Sequence, residues 1–228
     1  FRDLFDFCRR VDKRLVNRRV VEALIRGGAF DSIDPRRATL FASVGIALAD
    51  AERSDAAGAQ VSLFGDAAAP AQDALVVTRE WTDAERLTHE KAALGFYLSG
   101  HPYAAFAAEL APLVRTPLAA LAPRNDPVLI AGIVVALRIQ NGRRGKMAFV
   151  TLDDGDAQAE VVVFNETFDA ARSLLREDQL VIVEAKITPR MGEGGELQGL
   201  RISAEAVFDL PALRRRHARV LRLACNGG

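Results

Sequence analysis

The chain has 228 residues, 50% of them hydrophobic, and its 30 Lys and Arg balance 30 Asp and Glu to a formal net charge of zero. That composition excludes a disordered tail, a collagen-like fibre and a uniformly basic nucleic-acid binder, and the length predicts about two compact units. No apolar run reaches the roughly 18–20 residues that span a bilayer, no secretory signal pattern opens the chain, and Cys8 and Cys225 stand too far apart in sequence to suggest a zinc site or disulfide framework; a soluble, cytoplasmic protein with no membrane partner is expected.

Split by segment, the neutrality is an average of unlike parts. Residues 1–37 carry 10 basic and 6 acidic side chains, 38–126 carry 6 and 11, 127–208 carry 9 and 12, and 209–228 carry 5 and 1. Two basic ends therefore flank two acidic stretches, a pattern open to local polyanion contact or to solvated helix faces.

In chain order, Leu4, Phe5, Cys8, Val11 and Leu15 recur at helical spacing and predict an amphipathic helix. Asn17 is a plausible N-cap for a second helix to Arg26, which the pair Gly27-Gly28 ends. Asp34-Pro35 restarts the chain, and Leu40, Phe41, Val44 and Leu48 carry a third helix. The segment 17–31 reads either as a plain αα-hairpin or as a helix-hairpin-helix contact with a phosphate backbone. In the second reading the amides of Gly27 and Gly28 point at a phosphate and Arg18, Arg19 and Arg26 add charge.

From Asp50 to about residue 79 the composition turns to Ala, Ser, Gly, Asp, Gln and Pro, which predicts a flexible linker. Within it stand Gln60, Val61, Ser62, Leu63 and Phe64, either a stray apolar pair or a short peptide that docks a glutamine amide and two apolar side chains into a partner's pocket. A helix is predicted over Trp81–Tyr97, ending at Gly100-His101-Pro102, and a shorter one over Tyr103–Leu110. Together these make residues 80–126 a helical connector.

From Pro127 the period becomes strand-like: Val128–Ile139, Lys146–Asp153 and Ala157–Phe164, then an Asn165-capped helix over Glu166–Leu175, then Leu180–Thr188 and Leu197–Phe208. Three strands, a helix and two strands is the order of the OB-fold, a five-stranded barrel that binds oligonucleotides. The fold class expected is thus α+β and multi-domain. An all-α region at residues 1–49 precedes the linker at 50–79 and the connector, an OB-fold barrel occupies 127–208, and a basic helix from Asp209 opens a further segment at 209–228. The chain starts inside a helical pattern and stops after an apolar run, which reads as a piece cut from a longer protein.

Catalytic chemistry is not legible. The three histidines are scattered, no glycine-rich phosphate loop occurs, and Asp153-Asp154 reads as a turn-former at a strand end more readily than as a magnesium site. In the barrel, Arg138, Arg143, Arg144 and Lys146 gather about the first hairpin and Phe149 lies on the second strand. The cations suit phosphates or merely solubilise a turn; Phe149 either stacks a base or fills the barrel interior.

Three stretches carry a family resemblance: FRDLFDFCRRVDKRLVNRRVVEALIRGGAFD (Phe1 to Asp31), ERLTHEKAALGFYLSGHPY (Glu85 to Tyr103) and IAGIVVALRIQNGRRGKMAFVTLDDGDAQAEVVVFNETF (Ile130 to Phe168). In order and content they resemble the C-terminal part of the bacterial DNA polymerase III alpha subunit. The resemblance implies a helix-hairpin-helix element on duplex DNA around Gly27 and Gly28, although here the two glycines are adjacent where the usual pattern separates them by an apolar residue. It also implies a sliding-clamp-binding peptide at Gln60–Phe64, a barrel on single-stranded template, and a basic C-terminal helix leading toward a clamp-loader contact. The parent would be a DNA-directed DNA polymerase whose magnesium ions sit in a palm absent from this chain, so the stretch itself is expected to need no cofactor and to be inactive alone. The rival from another class is an RNA-reading barrel of the aminoacyl-tRNA synthetase type.

Overall fold

The computed structural model describes residues 1–12, 14–59, 74–142, 145–191 and 196–217, which fall into two compact units, Phe1–Gly100 and His101–Gly228. Among the described residues no helix is long and apolar enough to cross a membrane.

The first unit is helical. Helix α1 (Leu4–Arg10) is capped by Asp3, whose carboxylate accepts the Asp6 amide, and α2 (Arg18–Arg26) by Asn17, whose side chain accepts the Val20 amide at 3.1 Å. Helix α3 spans Arg37–Ala59 and packs Leu40, Val44, Ala47 and Ala51 against Leu4, Phe5, Cys8, Val21, Ile25 and Phe30. It runs ten residues into the expected linker. Alanine is the best helix former, Ala47 and Ala51 sit in the core one turn apart, and between them Asp50 is held by Arg9 at 2.7 Å, so the first two residues of the expected linker are buried on α3 while residues 52–56 are exposed.

The far end of the expected linker is also ordered. The Val76 amide donates to Ser43 Oγ at 2.8 Å, while the Glu80 carboxylate accepts from the Ala38 amide (3.1 Å) and Thr39 Oγ1 (3.0 Å), holding this strap along the N-terminal half of α3. Residues 60–64 lie outside the described residues. Helix α4 covers Asp83–Leu94, shorter than predicted, because Thr82 and Glu85 form a capping box at one end and Gly95, at φ 84°, stops it at the other.

In the second unit five strands close a barrel in the order β1-β2-β3-β5-β4: β1 (Val128–Gly142), β2 (Gly145–Asp153), β3 (Gln158–Phe164), β4 (Leu180–Met191) and β5 (Leu197–Phe208). Neighbours are antiparallel except β3 and β5. Alternation on β2 sends Ala148, Val150 and Leu152 inward, where they meet Ile130, Val161, Val163, Val183 and Ile187. Phe168 and Ala171 of α6 (Asn165–Ala171) join the same core. Gly132 lets β1 close on β2: a Cβ there would lie 2.9 Å from the Asp153 amide nitrogen and from Leu152 Cβ. Asn165 is not the cap of α6 but its first residue, the cap position being Phe164 without a side-chain bond.

The expected connector over 80–126 is not one unit. Its α4 belongs with the first unit, whereas α5 (Ala104–Leu110) buries Leu110 with Ala131, Ile182 and Leu213 on the outside of the barrel. Leu213 lies on the last described helix, α7 (Leu210–His217), which carries the basic residues expected of it.

Candidate nucleic-acid interface

The α2 hairpin turn ends in a Schellman arrangement. Gly28, at φ 80°, donates its amide to Ile25 O, Ala29 to Leu24 O, and Gly27 to Ala23 O. All three amides thus satisfy the last carbonyls of α2, which corrects the expectation that the amides of Gly27 and Gly28 project at a phosphate. A hydrogen already donated to a helix carbonyl in good geometry is not offered to an anion.

Two of the three arginines are likewise engaged within the unit. Arg18 pairs with Glu22 at 2.8 Å on the exposed face of α2, and the Arg26 guanidinium lies 4.7 Å from the Phe41 ring centroid, beside the packed rings of Phe41, Trp81 and His89. Burial, then the Arg26 charge, lowers the His89 pKa. Arg19 is exposed and has no ion-pair partner among the described residues.

Beneath the turn sits a buried charge network that sequence reasoning does not find. Arg37 donates to Glu90 Oε1 (2.8 Å), to the Arg26 carbonyl (3.2 Å) and through Nε to Asp31 (2.7 Å). Glu90 is fully buried, and its second oxygen accepts the Leu98 and Ser99 amides, each at 2.8 Å. Burial alone would raise Glu90. The Ser99 amide, the Arg37 guanidinium and the Leu98 amide outweigh it and hold the carboxyl at about 2.

On the barrel, Phe149 falls on the alternation opposite Ala148 and Val150 and is half-buried on the outer surface. Of the two alternatives for this ring, interior filler is thereby removed. It lines a groove of about 640 Å³ on the face of β2, β3 and β5, with Met147, Phe164, Arg190 and Arg201 and with the Leu118–Leu121 turn along one side. Each ring has a cation: the Arg138 guanidinium carbon is 4.7 Å from the Phe149 centroid, and that of Arg201 is 5.7 Å from Phe164. Such a groove offers flat apolar surfaces for bases and positive charge for a backbone.

Of the cations expected at the first hairpin, Arg138 meets Phe149 directly, its strand partner in the β1–β2 register. Lys146 is exposed but shares the alternation of Ala148, so it stands at the barrel's end and off the Phe149 face. Arg143 and Arg144 lie outside the described residues. Phe164 and Arg201 escape a reading of the sequence because VVVF looks like uniform core. Only the register Met147↔Phe164 and the parallel pairing of β3 with β5 bring them to the groove, though period-two counting back from Phe164 through Val162 and Glu160 points to one face.

Asp153 and Asp154 accept bonds within their own turn, from the Gly155 amide (2.8 Å) and the Asp156 and Ala157 amides (3.1 and 2.9 Å), and Asp154 also accepts the Leu118 amide at 2.8 Å. These are turn-forming carboxylates.

The family model of the OB-fold nucleic acid binding domain matches residues 128–210, and that of the helix-hairpin-helix motif matches residues 1–40. DNA polymerase III subunit alpha of Neisseria meningitidis serogroup B is 44% identical over 227 residues, 98% of this chain and 19% of that protein. The Escherichia coli subunit is 34% identical over 98% of this chain and 20% of its own length. Among solved structures, the single-stranded DNA binding protein of Thermus aquaticus overlaps 39% of this chain and 52% of that one at 19% identity and a TM-score of 0.32. The chain spans about a fifth of the length of the curated relatives it matches. Over that fifth, the chain is similar to DNA polymerase III alpha subunits, with a helix-hairpin-helix match at residues 1–40 and an OB-fold match at residues 128–210.

Proposed function

We propose that this chain is the part of a replicative DNA polymerase that holds DNA and docks the enzyme, and that nucleotidyl transfer, with its magnesium ions, is performed elsewhere in the parent. The observation that carries the reading is the groove on β2, β3 and β5, where Phe149 and Phe164 stand with Arg138 and Arg201 on an otherwise acidic domain. There the barrel takes single-stranded template, the rings stacking bases and the arginines meeting phosphates. The helical unit contacts duplex backbone through Arg18 and Arg19, with little help from Arg26, Gly27 or Gly28, whose cation and amides are engaged within the unit.

Gln60 to Phe64 serve as the sliding-clamp peptide, and the basic α7 leads toward the clamp-loader contact. Linked in series, weak sites raise one another's effective concentration, which is what a chain of zero net charge needs. Supporting the assignment is the identity over 98% of the chain to polymerase subunits.

Titrating labelled single-stranded DNA, duplex DNA and RNA of one sequence with the whole chain tests the barrel. Single-stranded DNA is expected to bind best, and Arg143→Ala with Arg144→Ala to lower the log–log salt slope by about 0.7 for each phosphate that is no longer neutralised. An unchanged slope removes that hairpin from the site, and preference for RNA favours the synthetase-like reading. For the peptide, Leu63→Ala with Phe64→Ala should abolish binding to a purified sliding clamp; equal affinity rejects it.

A further inference from the structure

The Phe149 platform is not bare. Arg138, on β1, reaches across β2 so that its guanidinium lies over the Phe149 ring, and its Nη2 stands 3.7 Å from Glu160 Oε2 on β3. The registers explain the reach. Arg138 is directly opposite Phe149, Phe149 opposite Val162 and Thr151 opposite Glu160, so Arg138 and Glu160 lie diagonally across the same ring on the same outer face. Both ends of the bridge are exposed, Arg138 at 63% and Glu160 at 53%, and Glu160 also lines the groove.

Resting on the barrel reading above, we infer that Glu160 is a placeholder for a nucleic-acid phosphate: it holds Arg138 as a lid over Phe149, and a single strand binds by exchange, its phosphate taking Arg138 from Glu160 while a base takes the ring face the guanidinium leaves. The physical chemistry favours an exchange over a permanent closure. A solvated carboxylate at 3.7 Å holds an arginine weakly, whereas a phosphate offers the planar guanidinium a bidentate, charge-assisted partner. Base stacking on the same ring replaces the cation–π interaction that the guanidinium gives up. The bridge keeps an apolar ring covered when no strand is present, and it sets a threshold: isolated anions gain nothing from the ring, so only a ligand that supplies phosphate and base together recovers both interactions.

This predicts a coupling that simple charge repulsion does not. Anisotropy titrations of a labelled single-stranded oligonucleotide with the full chain and with Glu160→Gln, Arg138→Ala and the double variant read it. Glu160→Gln frees Arg138, and binding at low salt is expected to tighten by about two- to fivefold, the range of an exposed ion pair. Its log–log salt slope should be at least as steep as that of the unaltered chain, because Arg138 still meets its phosphate. Arg138→Ala should lower that slope by about 0.7. In the Arg138→Ala background, Glu160→Gln should change affinity by less than about 1.5-fold, since no lid remains to open and only screened repulsion is removed.

An equal gain from Glu160→Gln in both backgrounds overturns the exchange and leaves Glu160 a bystander charge, as does no gain in either. Failure of the unaltered chain to bind any single strand overturns the barrel reading itself and the exchange with it. Both substitutions lie on the exposed face of strands, so a melting curve matching the unaltered chain accompanies each titration.

Discussion

The helical unit and the barrel use their arginines differently. In the helical unit Arg9 is bound to Asp50, Arg18 to Glu22, Arg36 to Asp34 and Arg37 to Asp31 and Glu90, so a net charge of +4 over residues 1–37 leaves little of it unengaged. In the acidic barrel Arg138 and Arg201 are set against aromatic rings at the margin of an open groove. Charge counted along a sequence is therefore a poor guide to charge available to a ligand. Arginines that meet a buried carboxylate across elements, as Arg9 and Arg37 do, become structural, while those whose strand neighbours are rings stay in reach of solvent.

Glu90→Ala breaks this contrast most sharply. Removing one partner of a buried pair leaves Arg37 undercompensated and should destabilise the helical unit by about 3–5 kcal/mol in chemical denaturation, with the barrel's single-strand affinity unchanged. The same carboxyl predicts a pH dependence. Its folded pKa of about 2 lies below its ordinary 4.5, so its contribution is fully present above pH 4.5, declines as pH falls and is lost by about pH 2; melting followed across that window should lose this slope in Glu90→Gln.

Phe149→Ala is the converse, a change of function on an outer face. Loss of one stacking ring should weaken single-strand binding by about 1–3 kcal/mol, with the melting temperature little altered because the ring is outside the barrel core. Gly28→Ala comes next. At φ 80° a side chain is strained, and the new Cβ would overlap the Arg37 guanidinium, so a decrease of about 1–2 kcal/mol in helical-unit stability is expected. Smallest is Arg18→Ala, which removes an exposed i,i+4 pair and should shift stability by no more than about 0.5 kcal/mol. Measuring its duplex affinity alongside that of Arg19→Ala sharpens the comparison: a larger drop from Arg19, which has no ion-pair partner among the described residues, is expected if availability, and not count, governs binding.

Legibility follows the range of the interactions. Asn17 as cap, the glycine end of α2, the switch from helical to strand period and the order of three strands, a helix and two strands are set by neighbours in sequence, and the structure has them. Composition misleads at both ends of the linker. Ala51 acquires meaning only from the core it joins with α1, and the Glu80 carboxylate only from the N-terminus of α3 some forty residues earlier. Phe149 is open between core and platform in the sequence because alternation gives two faces without saying which is inside. Closure of the barrel on Val150 and Leu152 chooses it.

By itself, then, the sequence determined most element types, the order of strands and helix along the chain and, through three recognisable stretches, the resemblance to DNA polymerase III alpha subunits. Each depends on local periodicity, capping or residue identity, all of which are written in the linear chain. Tertiary structure alone decided which charges are free. Arg37 meets Glu90 across 53 residues, and Arg138 meets Glu160 only because three strands pair in one register. Electrostatic availability is a property of distances in space, and the chain's even balance of 30 against 30 contains none of them.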